Sequence, residues 1–135
     1  MQNLIYAFIQ VIHNFGAATV VGAAASALWL VRDNAAVQHR LALLAAIAWA
    51  MQAASGASFG IATFYYDGHL PDIHGIAIVA LLVKIVCAII GFTVALIYAR
   101  SDSKWPASKH RFIWRALLAL GVVALSSAAF LRWFS

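Results

Sequence analysis

The sequence predicts an all-α integral membrane protein: a four-helix up-down bundle forming one domain over residues 1–135. Three observations lead there. Hydrophobic residues make up 65% of the chain and charged residues only 10%, where soluble domains carry about 25% charged residues. Four long apolar segments follow one another, and a helix needs about 20 such residues to cross a hydrocarbon core. The basic residues gather at the ends of these segments and on alternate connections. A net charge of +5 could draw nucleic acid, but charge placed at segment ends, with no basic face, argues for membrane topology and against nucleic acid.

The first segment runs from about Leu4 to Val31 and stops at Arg32-Asp33-Asn34. No Lys or Arg precedes it, so it lacks the charged leader of a cleaved signal peptide and reads as a retained helix. The second runs from about Leu41 to Tyr66, the third from about Ile73 to Ala99 and the fourth from about Phe112 to Phe134. Away from water each segment has to close its own backbone hydrogen bonds, which a helix does. Short connections make successive helices antiparallel neighbours. The single Cys87 lies deep in the third segment, so no internal disulfide forms.

Charge then orients the bundle. Arg32, His39 and Arg40 belong to the first connection, and Arg100, Lys104, Lys109 and Arg111 to the third, with Arg115 just beyond. The second connection, Asp67-Gly-His-Leu-Pro-Asp-Ile-His74, holds no Lys or Arg. The positive-inside rule places the first and third connections in the cytoplasm and both termini outside, in the inner (plasma) membrane. Arg132 is the dissenting charge, while Tyr65, Tyr66, Trp105, Trp114 and Trp133 sit near segment ends as an aromatic belt does. Two rows of small residues, Ala18-Gly22-Ser26 and Gly56-Gly60 with Gln52 a turn before, predict close helix packing.

Chemistry is expected where polar groups interrupt this pattern. His13 stands in Val11-Ile-His-Asn-Phe-Gly16, within a membrane segment, where an ionisable group is costly and marks function by default. Gly16, one turn on, predicts room beside the imidazole for a flat or bulky group. Two histidines from facing helices can ligate a b-type haem, and His13 and His74 are the candidate pair at the outer half. Counted from Arg32 and Arg100 they stand 19 and 26 residues away, so their depths differ by about 10 Å at 1.5 Å per residue. The pairing is open. Copper is the alternative: His13, His69 and His74 as metal ligands at the outer face, near Asp67 and Asp72.

Lys84 lies midway along the third segment, too deep for easy snorkelling. It is a candidate charge partner for a haem propionate or another anion. No carboxylate lies within a segment, which weighs against a proton-coupled transporter. His39-Arg40 and Lys109-His110-Arg111 open helices on the inner side, where they could meet anionic headgroups or a second haem. No Gly-x-Ser-x-Gly or His-Glu-x-x-His motif points to hydrolysis.

A first-helix His followed by small residues (His13, Gly16, Gly22) and a third helix with a central Lys and a terminal Arg (Lys84, Arg100) resemble two groups. These are the copper-resistance D (CopD) type of integral membrane protein and the four-helix, haem-associated protoporphyrinogen oxidases (HemJ-like). The resemblance covers the first and third helices. It implies that the positions matched by His13 and Lys84 handle haem or metal. The leading expectation is a small b-type cytochrome-like subunit, with haem near the outer face, that passes electrons to a membrane or quinone partner. A copper-binding or copper-transfer protein is the second. A cofactor-free accessory subunit is the third, packed in the lipid bilayer against a larger membrane complex or against copies of itself.

Overall fold

The computed structural model describes residues 1–101 and 104–134. It is all-α, with helices α1 (Gln2–Trp29), α2 (Ala35–Asp67), α3 (Ile76–Ser101) and α4 (Ala107–Phe134). Each is long and apolar enough to cross a membrane. α2 and α4 both pack against α1 and against α3, so the four close into a ring in which sequence neighbours are spatial neighbours.

Two helices begin earlier than the apolar pattern predicts, and local hydrogen bonding explains both. Asn34 caps α2: its side-chain oxygen accepts from the Val37 amide at 3.0 Å, satisfying one of the free donors at a helix start. His39 and Arg40 are therefore helical. α4 begins directly after Pro106, whose carbonyl accepts from the Lys109 amide at 3.0 Å, and so takes in Ser108, Lys109, His110 and Arg111. Hydropathy marks where the apolar stretch starts; capping marks where the helix starts. At the other end of α2, Gly68 (φ 76°) returns its amide to the Phe64 carbonyl at 3.1 Å, a left-handed cap that suits glycine.

The interior is built from small residues with a few large anchors. Ala24, Ala27, Ala42, Ala45 and Ala95 are buried in one cluster with Tyr98, Trp114 and Leu117. Alanine lets helix backbones approach, and packing contacts then supply the association energy. At Gly91 a Cβ would collide with the Trp49 indole, and at Gly121 it would press on Val20 and Val21 at 3.1 Å. The outside is the reverse: Phe8, Phe15, Ile47, Ile61 and Ile89 all point outward.

The predicted small-residue rows do not pack within the chain. A Cβ at Gly22, Gly56 or Gly60 would meet nothing within 4 Å. The buried stripe of α2 runs through Gln38, Ala42, Ala45, Trp49, Gln52 and Ser55, and Gly56 lies just off it. On α1 the buried positions are Ala23, Ala24 and Ala27 rather than Ala18 and Gly22. A helix seam follows the mixture of three- and four-residue steps that covers all its neighbours, and a single four-residue row cannot do that for two flanking helices.

Candidate functional site

Two polar clusters interrupt the apolar interior. The first joins three helices around His13. On α2, Gln52 and Ser55 are three residues apart on one face, and both are buried. Ser55 Oγ donates to the Met51 carbonyl one turn back at 2.6 Å, the common local bond of a helical serine. That uses its only proton, so at the 2.7 Å contact with His13 Nδ1 the imidazole is the donor and the hydroxyl oxygen the acceptor. The tautomer follows: Nδ1 carries hydrogen, and the Nε2 lone pair points toward α3. Lys84 Nζ meets it at 2.8 Å, donating an N–H across the bundle. Gln52 anchors the backbone beneath by donating its amide to the His13 carbonyl.

Aromatic side chains close one side. Phe59 presents an edge-to-face contact to His13 with ring centres 5.9 Å apart, and Tyr6 stacks on Phe59 at 6.3 Å while its hydroxyl bonds Thr63 at 3.0 Å. The room expected beside Gly16 is taken: a Cβ there would stand 2.6 Å from Gln52 Nε2. Gly16 is small so that Gln52 can reach the backbone of α1. What fills the space is the end of a rotatable side chain.

His69 and His74 lie elsewhere. Both are exposed in the connection between α2 and α3. His74 Nε2 pairs with Asp72 at 3.2 Å, and His69 Nδ1 donates to the Leu70 carbonyl at 3.0 Å. Among the described residues no three His, Cys, Asp or Glu side chains converge as an ion would require, and no contact joins His74 to His13. The structure thus brings together His13 and Lys84, and leaves His69 and His74 apart from them.

The second cluster was not singled out from sequence, apart from His110 as a basic helix end. Gln38 Nε2 donates to the carbonyls of Ala27, Val31 and Arg32 at 3.3, 3.3 and 2.9 Å, capping the end of α1. Its Oε1 accepts from the Tyr98 hydroxyl at 2.6 Å. The same hydroxyl lies 2.6 Å from His110 Nδ1, and His110 Nε2 donates to the Trp105 carbonyl at 3.1 Å. The available signal was Tyr98 inside the third apolar segment, since such a group needs a partner when buried; Gln38 lies in the polar first connection and gave none. Only the fold reveals which partners those are.

The two clusters differ in what they leave available. Both nitrogens of His110 are engaged within the chain, one of them by a backbone carbonyl. His13 is held at Nδ1, while its Nε2 meets only the tip of a flexible lysine. A histidine oriented through one nitrogen and open at the other is the arrangement that metal-ligating histidines adopt.

The chain matches no known protein family, no curated protein and no solved structure.

Proposed function

We propose that this chain spans the bilayer four times and is a small b-type cytochrome-like subunit, with His13 as an axial ligand of the haem. The observation that carries the reading is the His13 geometry: Nδ1–H fixed on Ser55 at 2.7 Å and Nε2 turned inward toward Lys84 at 2.8 Å. Ionisable groups held at this depth are costly and mark function. The bilayer reading draws on four apolar helices with large side chains outside and alanine inside. Basic residues at Arg32, Arg40, Arg100, Lys109, Arg111 and Arg115 assign one end to the cytoplasm, and both termini to the outside.

The donor set fits a haem at one ligand. Nε2 of His13 would be the atom to hold the iron, and Lys84, released from it, would be placed to hold a propionate. Making that seat would require two side chains, Lys84 and Gln52, to turn aside, Gln52 giving up its bond to the His13 carbonyl. His74 does not share the site, so the His13–His74 ligand pair is not carried forward. Nor is copper, whose three expected ligands stand apart. When bound, a haem supplies one-electron chemistry. The residues of this chain supply a ligand of fixed tautomer, a neighbouring positive charge and a dry surround.

A second reading is favoured by one observation. Gly56 and Gly60 present a GxxxG face of α2 with nothing against it, which suits an accessory subunit packed on another membrane protein. Absorption spectra of the detergent-purified chain, oxidised and then reduced with dithionite, separate the two. The cytochrome reading expects a Soret band and sharp α and β bands on reduction, lost in His13→Ala and kept in His74→Ala. A flat visible spectrum from folded protein expressed with haem available would reject it and leave the accessory subunit.

A further inference from the structure

A groove far from His13 lies between the C-terminal end of α1 and α4, with a volume of about 980 Å³. Its wall is graded. Arg32, Asp33, Arg111 and Arg115 line it at one end, and Leu118, Val122 and Val123 further along α4. From Arg115 to Val122 is seven residues, about 10 Å of helix. Charge at one end and apolar surface at the other is the shape of an amphiphile, and it fits neither a free small anion nor a polar peptide.

The sign of the head follows from the charges. Arg32 is paired with Asp33 at 3.2 Å. Arg111 and Arg115, one turn apart, have no ion-pair partner among the described residues. They also border a second, smaller depression of about 270 Å³ beside Ser108 and Phe112, so the pair stands between two recesses. The N-terminus of α4 at Ala107 adds its positive dipole end to the same wall. Trp114, 1% exposed, packs into the same wall beside the two arginines.

We infer that this groove binds an anionic phospholipid of the cytoplasmic leaflet, its phosphate between Arg111 and Arg115 and its acyl chain along Leu118, Val122 and Val123. Basic recesses between membrane helices on the cytoplasmic side take such headgroups. The inference rests on the bilayer reading and is independent of haem.

Trp29, Trp105 and Trp114 line the cavity, so tryptophan fluorescence reports its occupancy. The full chain in detergent is titrated with phosphatidylglycerol or phosphatidylcholine carrying brominated acyl chains, which quench on contact. Phosphatidylglycerol is expected to quench at about thirtyfold lower concentration, on the scale of two arginines near a headgroup at about 1 kcal/mol each. Arg111→Gln with Arg115→Gln should abolish that preference, and Arg40→Gln with Arg132→Gln, away from the groove, should keep it. Val122→Trp, which fills the apolar end, should weaken phosphatidylglycerol binding with both arginines intact. Equal quenching by the two lipids, or a preference that survives the double arginine change, overturns the inference. So does full displacement by millimolar inorganic phosphate, which would make this a simple anion site. Quenching by neither lipid would instead reject the bilayer reading itself.

Discussion

Ser55→Ala tests the hydrogen-bond logic of the first cluster most directly. The change removes one oxygen. Met51 loses a side-chain donor but keeps its helical amide partner, so little of the cost arises there. The cost falls on His13, whose Nδ1–H is left without an acceptor in a buried seat. An orphaned donor of this kind costs about 1–3 kcal/mol. Interhelical hydrogen bonds in membranes average about 0.6 kcal/mol and reach about 1.7, because the membrane-embedded unfolded chain finds other partners. Contacts of 2.6 and 2.7 Å with every proton assigned belong at the upper end, so about 1–2 kcal/mol is expected. A double-mutant cycle with His13→Leu isolates it. The acceptor that Lys84 loses is common to both His13→Leu arms and cancels, so the coupling term reports the Ser55–His13 contact. The assay is reversible unfolding in mixed micelles by increasing dodecyl sulfate. Imidazole nitrogen-15 shifts provide an independent readout: wild type should show one protonated nitrogen at Nδ1, and Ser55→Ala should lose that preference. A coupling below about 0.3 kcal/mol, with unchanged nitrogen shifts, would refute the tautomer assignment and the ligand-ready description of Nε2 with it.

Other expectations follow from the packing and the caps. Gly91→Ala drives a methyl into the Trp49 ring and should cost about 1–3 kcal/mol as overpacking, whereas Gly22→Ala, with open space around it, should lie within about 0.5 kcal/mol of wild type; the same unfolding assay compares them. Asn34→Ala removes the α2 cap and should cost about 0.5–2 kcal/mol, with faster amide exchange confined to the first turn of that helix. Tyr98→Phe takes the hydroxyl from between Gln38 and His110 and should cost about 1–3 kcal/mol, and Gln38→Leu in that background should add less than it does alone, since the two changes share one network.

Four helices and their approximate spans were legible because length and hydropathy are one-dimensional properties, read without knowing any neighbour. Their polar starts were legible only in part: His39-Arg40 and Lys109-His110-Arg111 read as helix openings, but the further reach back to Ala35 and Ala107 depends on Asn34 and Pro106, whose caps carry no hydropathy signal. The small-residue rows illustrate a different gap. Gly56-Gly60 has the right spacing to pack, but spacing does not say which of several faces turns inward, and the inward one is set by α1 and α3 together. His13 and Lys84 stood out singly as ionisable groups among apolar residues. Their meeting depended on the ring order of the helices. Ser55 could not be chosen from Ser26, Ser58 or Ser127 by any local property, and Gln38 with Tyr98 looked like one more pair of isolated polar residues.

The spacing of the two clusters explains why one of them is available for chemistry and the other is not. From His13 to Ala27 on α1 and from Lys84 to Tyr98 on α3 is 14 residues in each case, about 21 Å of helix. The clusters therefore occupy opposite halves of the bundle, each tying α1 or its end to α2 and α3. At the Gln38 cluster the bonds run from backbone to backbone: the carbonyls of Ala27, Val31 and Arg32, then Gln38, Tyr98, His110 and the Trp105 carbonyl. Gln38 has its nitrogen on carbonyls, so its oxygen takes the Tyr98 proton, and His110 completes the chain between the Tyr98 hydroxyl and the Trp105 carbonyl. Any ligand entering there would have to break a cap. The His13 cluster has the same fixed beginning, since Ser55 and the Met51 carbonyl settle Nδ1, but it ends on a lysine head at the tip of four rotatable carbons. Turning Lys84 away exposes one lone pair, and a bond to backbone is given up only if Gln52 also leaves the His13 carbonyl. That difference, rather than the presence of a histidine in an apolar helix, is what singles out His13: its orientation is held by one helix while its reactive nitrogen is held by nothing rigid.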